Sequence, residues 1–189
     1  MELSTNALNV LKKLEGLVLH PYIDTAGHLT IGYGHLIKFK IKDQNKIVED
    51  PRLEFVTKTK DLVSITEKQA ELLLLLDLKS FEKAITSTLG IIEQCHFDAL
   101  TLFAYNLGVG RLMGSTLMKK FLRGDFVNLE QEFLRWDNAT VKGKLVEVTG
   151  LTIRRALEAS IFQQKLIKPN LSRKHLGILE DLWDTYLNG

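Results

Sequence analysis

One cysteine occurs in 189 residues. Cys95 alone can neither close an intrachain disulfide nor supply a cysteine-rich zinc site. Long apolar runs are missing as well: the longest, Leu72–Leu76, falls far short of the ~20 residues a membrane span needs. The opening MELSTNALNVLKKLEG lacks the succession of basic start, apolar stretch and small-residue cleavage site, so no export signal is expected. The expectation is synthesis in the cytoplasm without stable membrane insertion, any further movement being left to another component. Internal repeats and low-complexity stretches are absent. An excess of one charge is nearly absent too: 25 Lys and Arg face 23 Asp and Glu, a net +2, too mild to argue for nucleic acid.

What is present fits an ordinary folded chain. Hydrophobic residues at 45% and charged residues at 25% exclude wholesale disorder. The length suits one domain, or two small lobes sharing a core, and folding should hide about 70% of the extended chain's surface. The basic residues are unevenly spread. Lys142, Lys144, Arg154, Arg155, Lys165, Lys168, Arg173 and Lys174 face only Glu147 and Glu158 between residues 140 and 175. A basic face suits an anionic polymer or surface; a solvated helix face is the plainer reading.

Residues 3–15 read as an amphipathic helix, with Leu3, Ala7, Val10, Leu11 and Leu14 at helical spacing and Gly16 as its stop. Between 22 and 50 the texture changes to glycines among β-branched and aromatic residues, followed by the alternating KFKIK, which predicts a small antiparallel sheet beginning at Asp24. Thr66 with Gln69 forms a capping box opening a helix that runs through Leu72, Leu76, Phe81, Ile85 and Leu89 to Gly90. Its ~24 residues would span roughly 36 Å. Beyond Gly90 the chain reads as helical throughout: 96–107 is apolar almost all round and should be a buried central helix that stops at Gly108 and Gly110. Further helices are expected at about 115–122, 126–136, 150–167 and 173–187. The fold class is therefore α+β and mostly α, with a small sheet lobe at about 16–64, a connecting helix at about 66–89 and a helical lobe at about 91–189 packed with helix 3–15.

Three polar residues near the start carry the chemical signal. Glu15 closes a helix, where a carboxyl faces the negative end of the macrodipole under the apolar cover of Leu14, Leu17 and Val18; that setting suits a proton donor. Asp24, in a polar turn, should stay ionised and can orient a water, and the Thr30 hydroxyl can donate to Asp24 or accept from that water. Two carboxyls in unequal environments are the pattern of glycosidic bond cleavage. The plainer readings stand beside this one: a solvated helix-end Glu, an Asp capping a turn and a Thr chosen for strand propensity.

Glu15, Asp24 nine residues later and Thr30 six beyond that, within EGLVLHPYIDTAGHLTIGYGH, resemble the active-site signature of phage-type lysozymes. ITEKQAE followed by Asp77, FAYNLGVG, RWDNA, GLTIRRALEASIF and WDTY resemble later segments of the same family, while about 165–180 reads as an insertion. The resemblance implies a lysozyme-like fold with a cleft between its lobes. It further implies an endolysin-type muramidase that cleaves the β-1,4 bond between N-acetylmuramic acid and N-acetylglucosamine in peptidoglycan, acting as a monomer without cofactor. Glu15 would be the general acid of an inverting mechanism, and Asp24 and Thr30 would position the attacking water. Arg154 matches an arginine that pairs with the catalytic Glu. Leu36, Tyr105 and Thr116 fall where the family contacts glycan. His35 and Asp77 occupy the positions of a structural ion pair. The basic stretch at 140–175 would help hold the anionic wall.

Two other functions fit parts of the sequence. A lytic transglycosylase on the same fold needs the acid but not the Asp24–Thr30 pair. A catalytically silent peptidoglycan-binding module needs neither. Nucleic-acid binding ranks last, since no motif accompanies the basic residues. His20, His28, His96 and His175 show no ligand spacing, so no metal is expected. Cys95 beside His96 lacks an orienting group, and Trp136 and Trp183 read as core.

Overall fold

A computed structural model describes every residue except 25, 26, 43, 44, 59, 60 and 142, with the backbone alone at 41, 42, 45–47 and 141. The chain forms two units, Lys12–Ser80, and Met1–Leu11 with Phe81–Gly189. Two helices contribute to both: α1 (Thr5–Glu15) and α3 (Glu67–Leu89).

In the unit Lys12–Ser80, strands β1 (Val18–Ile23), β2 (Leu29–Gly32) and β3 (His35–Leu36) form an antiparallel sheet in that order. The sheet begins at Val18, earlier than the glycine-rich texture predicts, and Asp24 lies just past the end of its first strand. β1 is an edge strand carrying Pro21, and its pairing with β2 shifts register between Val18 and Tyr22, as a residue without an N–H donor allows only at an edge. The KFKIK stretch does not join this sheet. It forms β4 (Phe39–Lys42), paired only with β5 (Asn45–Val48). A short helix, α2 (Pro51–Thr57), follows; Asp50 caps it by accepting from the amides of Arg52 and Leu53 at 3.0 and 3.4 Å. Proline at the first helical position costs no hydrogen bond, because that amide has no helical partner anyway. Ile31, Tyr33, Ile37, Val48, Leu53, Ile65, Leu73, Leu74 and Leu78 are buried.

The capping box opens α3 as its sequence predicts: the Thr66 amide donates to Gln69 Oε1 at 2.8 Å and the Gln69 amide to Thr66 Oγ1 at 3.2 Å. The helix buries a different stripe from the one expected, however. Leu72 is exposed, and the buried set is Ala70, Leu73, Leu74, Leu78 and Ile85. Five consecutive leucines present an apolar residue to every side, so periodicity cannot choose the face.

In the other unit, α4 (Gln94–Leu107) is the buried central helix, with Phe97 and residues 99–104 all inaccessible. It packs on α8 (Thr149–Gln163), which also meets α7 (Leu129–Leu134) and α9 (Arg173–Asn188). Gly108 breaks the chain for a single residue, at φ 91°, before α5 (Val109–Gly114), which Gly110 does not interrupt; α6 (Thr116–Leu122) follows. The helical expectation beyond Gly90 fails at one place. Residues Asn138–Val141 and Lys144–Glu147 form a hairpin, β6–β7, around Gly143 at φ 76°. All four side chains of β7 are exposed, so this segment has no core-facing stripe from which a helix could gain. At the base of the unit, Asp98 is fully buried and accepts from the Ser4 amide and hydroxyl, Gln94 and the Tyr186 hydroxyl. Burial and the Asp98 charge together push the Tyr186 hydroxyl well above the ordinary phenol value.

The expected basic face is smaller than its sequence suggests. Arg154 and Arg155 are buried, at 6% and 0% exposure, around the buried Glu158. Lys168 pairs with Glu180, and Lys142 lies outside the described residues. Lys144, Lys165, Arg173 and Lys174 are exposed.

Candidate active site

Glu15 is the last residue of α1, and Gly16, at φ 71°, turns the chain toward β1. Its carboxylate lies against the turn between β2 and β3: a Cβ built on Gly34 would sit 3.7 Å from Glu15 Oε2. Gly34 itself adopts φ 86°, a conformation that L side chains rarely take. Lys12, one turn back on α1, pairs with Glu71 of α3 at 2.8 Å, tying the final turn of α1 to the second helix of the same unit.

Asp24 and His28 close the β1–β2 hairpin. The Asp24 amide donates to the His28 carbonyl at 2.9 Å, and the His28 amide returns a bond to Asp24 Oδ1 at 2.8 Å. Asp24 Oδ2 lies 3.5 Å from His28 Nδ1. Thr30 stands opposite Tyr22 on one side and Leu36 on the other. Since strand side chains alternate with period two, Asp24, Thr30 and Leu36 share one face of the sheet. Thr30 is 2% exposed, and its hydroxyl donates to the His28 carbonyl at 3.2 Å, not to Asp24. The hydroxyl proton is thereby committed, and its lone pairs remain as acceptors. Leu36 is exposed.

Behind this face, His35 Nδ1 lies 2.8 Å from Asp77 Oδ2, and His35 Nε2 lies 3.1 Å from Asp50 Oδ2. Arg52 Nη1 donates to Asp77 Oδ1 at 2.6 Å. Burial works against charge on the imidazole, but the two carboxylates outweigh it and push the His35 pKa up to about 9. Burial acts on Asp50 in the opposite sense from its bonds; the bonds from His35 and the Lys38 amide prevail and hold its carboxyl far below the usual range. Asp50 and Arg52 escaped the sequence reading. The pair Asp50–Pro51 was the available signal, being an N-cap followed by a first-turn proline.

Three further residues singled out in the sequence belong to the other unit. Tyr105, on α4, packs its ring 5.4 Å from Phe81. Thr116 is the exposed first residue of α6. Arg154 Nη2 donates to the Leu102 carbonyl at 3.2 Å and its Nε to Glu158 Oε1 at 3.3 Å. Arg155 adds Nη2 bonds to Glu158 at 2.8 Å and Asn106 at 3.0 Å, with its guanidinium 4.8 Å from the Phe103 ring.

One group of side chains could offer donors to a metal. Glu93, Cys95 and His96 hold their ligand atoms within 4.8 Å of one another. They cap the N-terminus of α4, whose positive end opposes a cation. The Cys95 sulfur already takes the Gln164 amide at 3.3 Å, and burial pushes its thiol pKa up. His96 is stacked 4.2 Å from Phe162. This reads as packing.

Residues 12–158 match the phage lysozyme family. The chain is 30% identical over 164 residues to the endolysin of Acyrthosiphon pisum secondary endosymbiont phage 1, covering 86% of this chain and 99% of that one. It is 33% identical over 176 residues to the endolysin of Bacillus phage PZA, covering 92% of this chain but 59% of that longer protein. Among solved structures, the endolysin of Escherichia coli O157:H7 phage FAHEc1 superposes with a TM-score of 0.68 at 34% identity, covering 90% of this chain and 98% of that one. Among the described residues no helix is long and apolar enough to cross a membrane. With the lysozyme-like α+β fold and the match over 12–158 together, the chain belongs to the phage lysozyme family and is a peptidoglycan-lysing glycoside hydrolase.

Proposed function

We propose that the chain is a muramidase that hydrolyses the β-1,4 bond from N-acetylmuramic acid to N-acetylglucosamine with inversion. The observation that carries this reading is the division of labour within Lys12–Ser80. Glu15 rests against Gly34 at one end of the three-stranded sheet, while Asp24 and Thr30 share a face of that sheet with Leu36. Glu15 donates its proton to the glycosidic oxygen as the bond to the muramic C1 breaks. A water on the opposite side of the ring attacks C1, and Asp24 takes its proton through Oδ2, since Oδ1 is engaged by the turn. Thr30 Oγ1, whose own proton goes to His28, accepts the second hydrogen of that water. Two carboxyls with a water between them are the inverting arrangement. Leu36, Tyr105 and Thr116 are proposed as glycan contacts.

Digestion of purified peptidoglycan tests the reading. Wild type should release fragments ending in reducing muramic acid, first formed as the α-anomer, and Glu15→Gln should release none while remaining folded. Products ending in 1,6-anhydro-muramic acid would replace hydrolysis with transglycosylation. Wall binding without products would leave a silent module.

A further inference from the structure

We propose that His28 is a positioning residue for the attacking water, controlling Asp24 Oδ2 through its imidazole; this rests on the water-holding roles given above to Asp24 and Thr30. His28 touches both of them by three separate groups. Its amide binds Asp24 Oδ1 at 2.8 Å, its carbonyl takes the Thr30 hydroxyl at 3.2 Å, and its Nδ1 stands 3.5 Å from Asp24 Oδ2. The first two contacts are backbone and would persist with any side chain. The third belongs to histidine alone.

That third contact falls on the one Asp24 oxygen the turn leaves available. The His28 side chain is 62% exposed, so it can exchange protons with solvent while keeping its place. Among the described residues the charged group it meets is Asp24, and Tyr22 of β1 is the titratable side chain one register step along the same face. An imidazolium there donates its Nδ1 proton to Oδ2, occupying the lone pair that the water needs and drawing charge from the carboxylate that must accept a proton. A neutral imidazole releases Oδ2 to the water. Imidazole is the side chain whose charge commonly changes between about pH 5 and 8, so the water-holding pair is restrained in mild acid and released toward neutral pH.

The experiment measures kcat and KM against pH on soluble, uncross-linked peptidoglycan strands, for wild type, His28→Gln, His28→Ala and Asp24→Asn. Both His28 variants keep the amide and carbonyl contacts. The expected result is that His28→Gln and His28→Ala match wild type near pH 8. Near pH 5 they should exceed it in kcat by about two- to fivefold, the size of an exposed ion pair, with KM unchanged. A wild-type profile with no acid limb removed in either variant overturns the inference, as does a uniform loss of activity at all pH values, which would mark a purely structural turn residue. Full activity in Asp24→Asn would instead overturn the reading of Asp24, separating the two failures.

Discussion

His35 is shared by Asp77 and Asp50, its Nδ1 2.8 Å from the first and its Nε2 3.1 Å from the second. Both ring nitrogens therefore face acceptors, an arrangement only the doubly protonated imidazole satisfies. The His35 pKa of about 9 follows from these two carboxylates overriding the cost of burial.

Stability should depend on pH through this cluster. The folded-state value of His35 lies above the unfolded one, so its contribution is complete below about pH 6.5 and is lost as pH rises through about 9. The shift corresponds to about 2–3 kcal/mol, counted once for His35 and its carboxylates together. Asp50 acts with the opposite sign: its contribution is present above about pH 4 and declines as pH falls toward its depressed folded value. Urea unfolding at pH 5.5, 7.5 and 9.5 should give falling stability for wild type, and a much flatter decline for Asp77→Asn. An equal slope in both proteins would contradict the assignment.

Gly34→Ala should destabilise by about 1–2 kcal/mol, because its φ of 86° is costly for an L side chain. The added methyl would meet Glu15 Oε2 at 3.7 Å, an ordinary contact. Thermal denaturation should show the loss, while the folded fraction keeps its lytic rate.

Glu158→Gln should cost about 3 kcal/mol or more. It leaves Arg154 and Arg155 buried without the carboxylate that both contact at Oε1. Denaturant titration monitored by circular dichroism would measure this, and a change below about 1 kcal/mol would show that the Leu102 and Asn106 oxygens suffice.

Thr66→Ala removes the hydroxyl that receives the Gln69 amide at the start of α3. A loss of about 1 kcal/mol is expected, with activity unchanged, as read from the urea midpoint.

The parts of the fold that the sequence disclosed are those where local chemistry decides. The Thr66–Gln69 box and Gly16 mark helix ends through hydrogen bonds made within a few residues. The apolar stretch of α4 is legible because nearly all its faces are buried. The β6–β7 hairpin was hidden because its side chains are exposed, leaving alternation without a core to confirm it. The burial of Arg154 and Arg155 was equally hidden, since charge tells nothing of a carboxylate three or four residues along the same helix until packing closes around all three. At the candidate site, Glu15, Asp24 and Thr30 could be named from their spacing. That Thr30 bonds to His28, leaving Asp24 Oδ2 beside an imidazole, required the hairpin register.

The division of α1 between the two units has a consequence for biosynthesis. Ser4 and Asn6 find their partners in Asp98 and Tyr186, the latter separated from Asn6 by 180 positions. On the ribosome, the segment Lys12–Ser80 can assemble once its own residues have emerged, whereas the first turns of the chain wait for nearly all the remainder to be translated. A nascent chain stalled before α9 would thus carry its proposed catalytic carboxylate on a finished sheet unit while the helix that bears it stays frayed at its beginning.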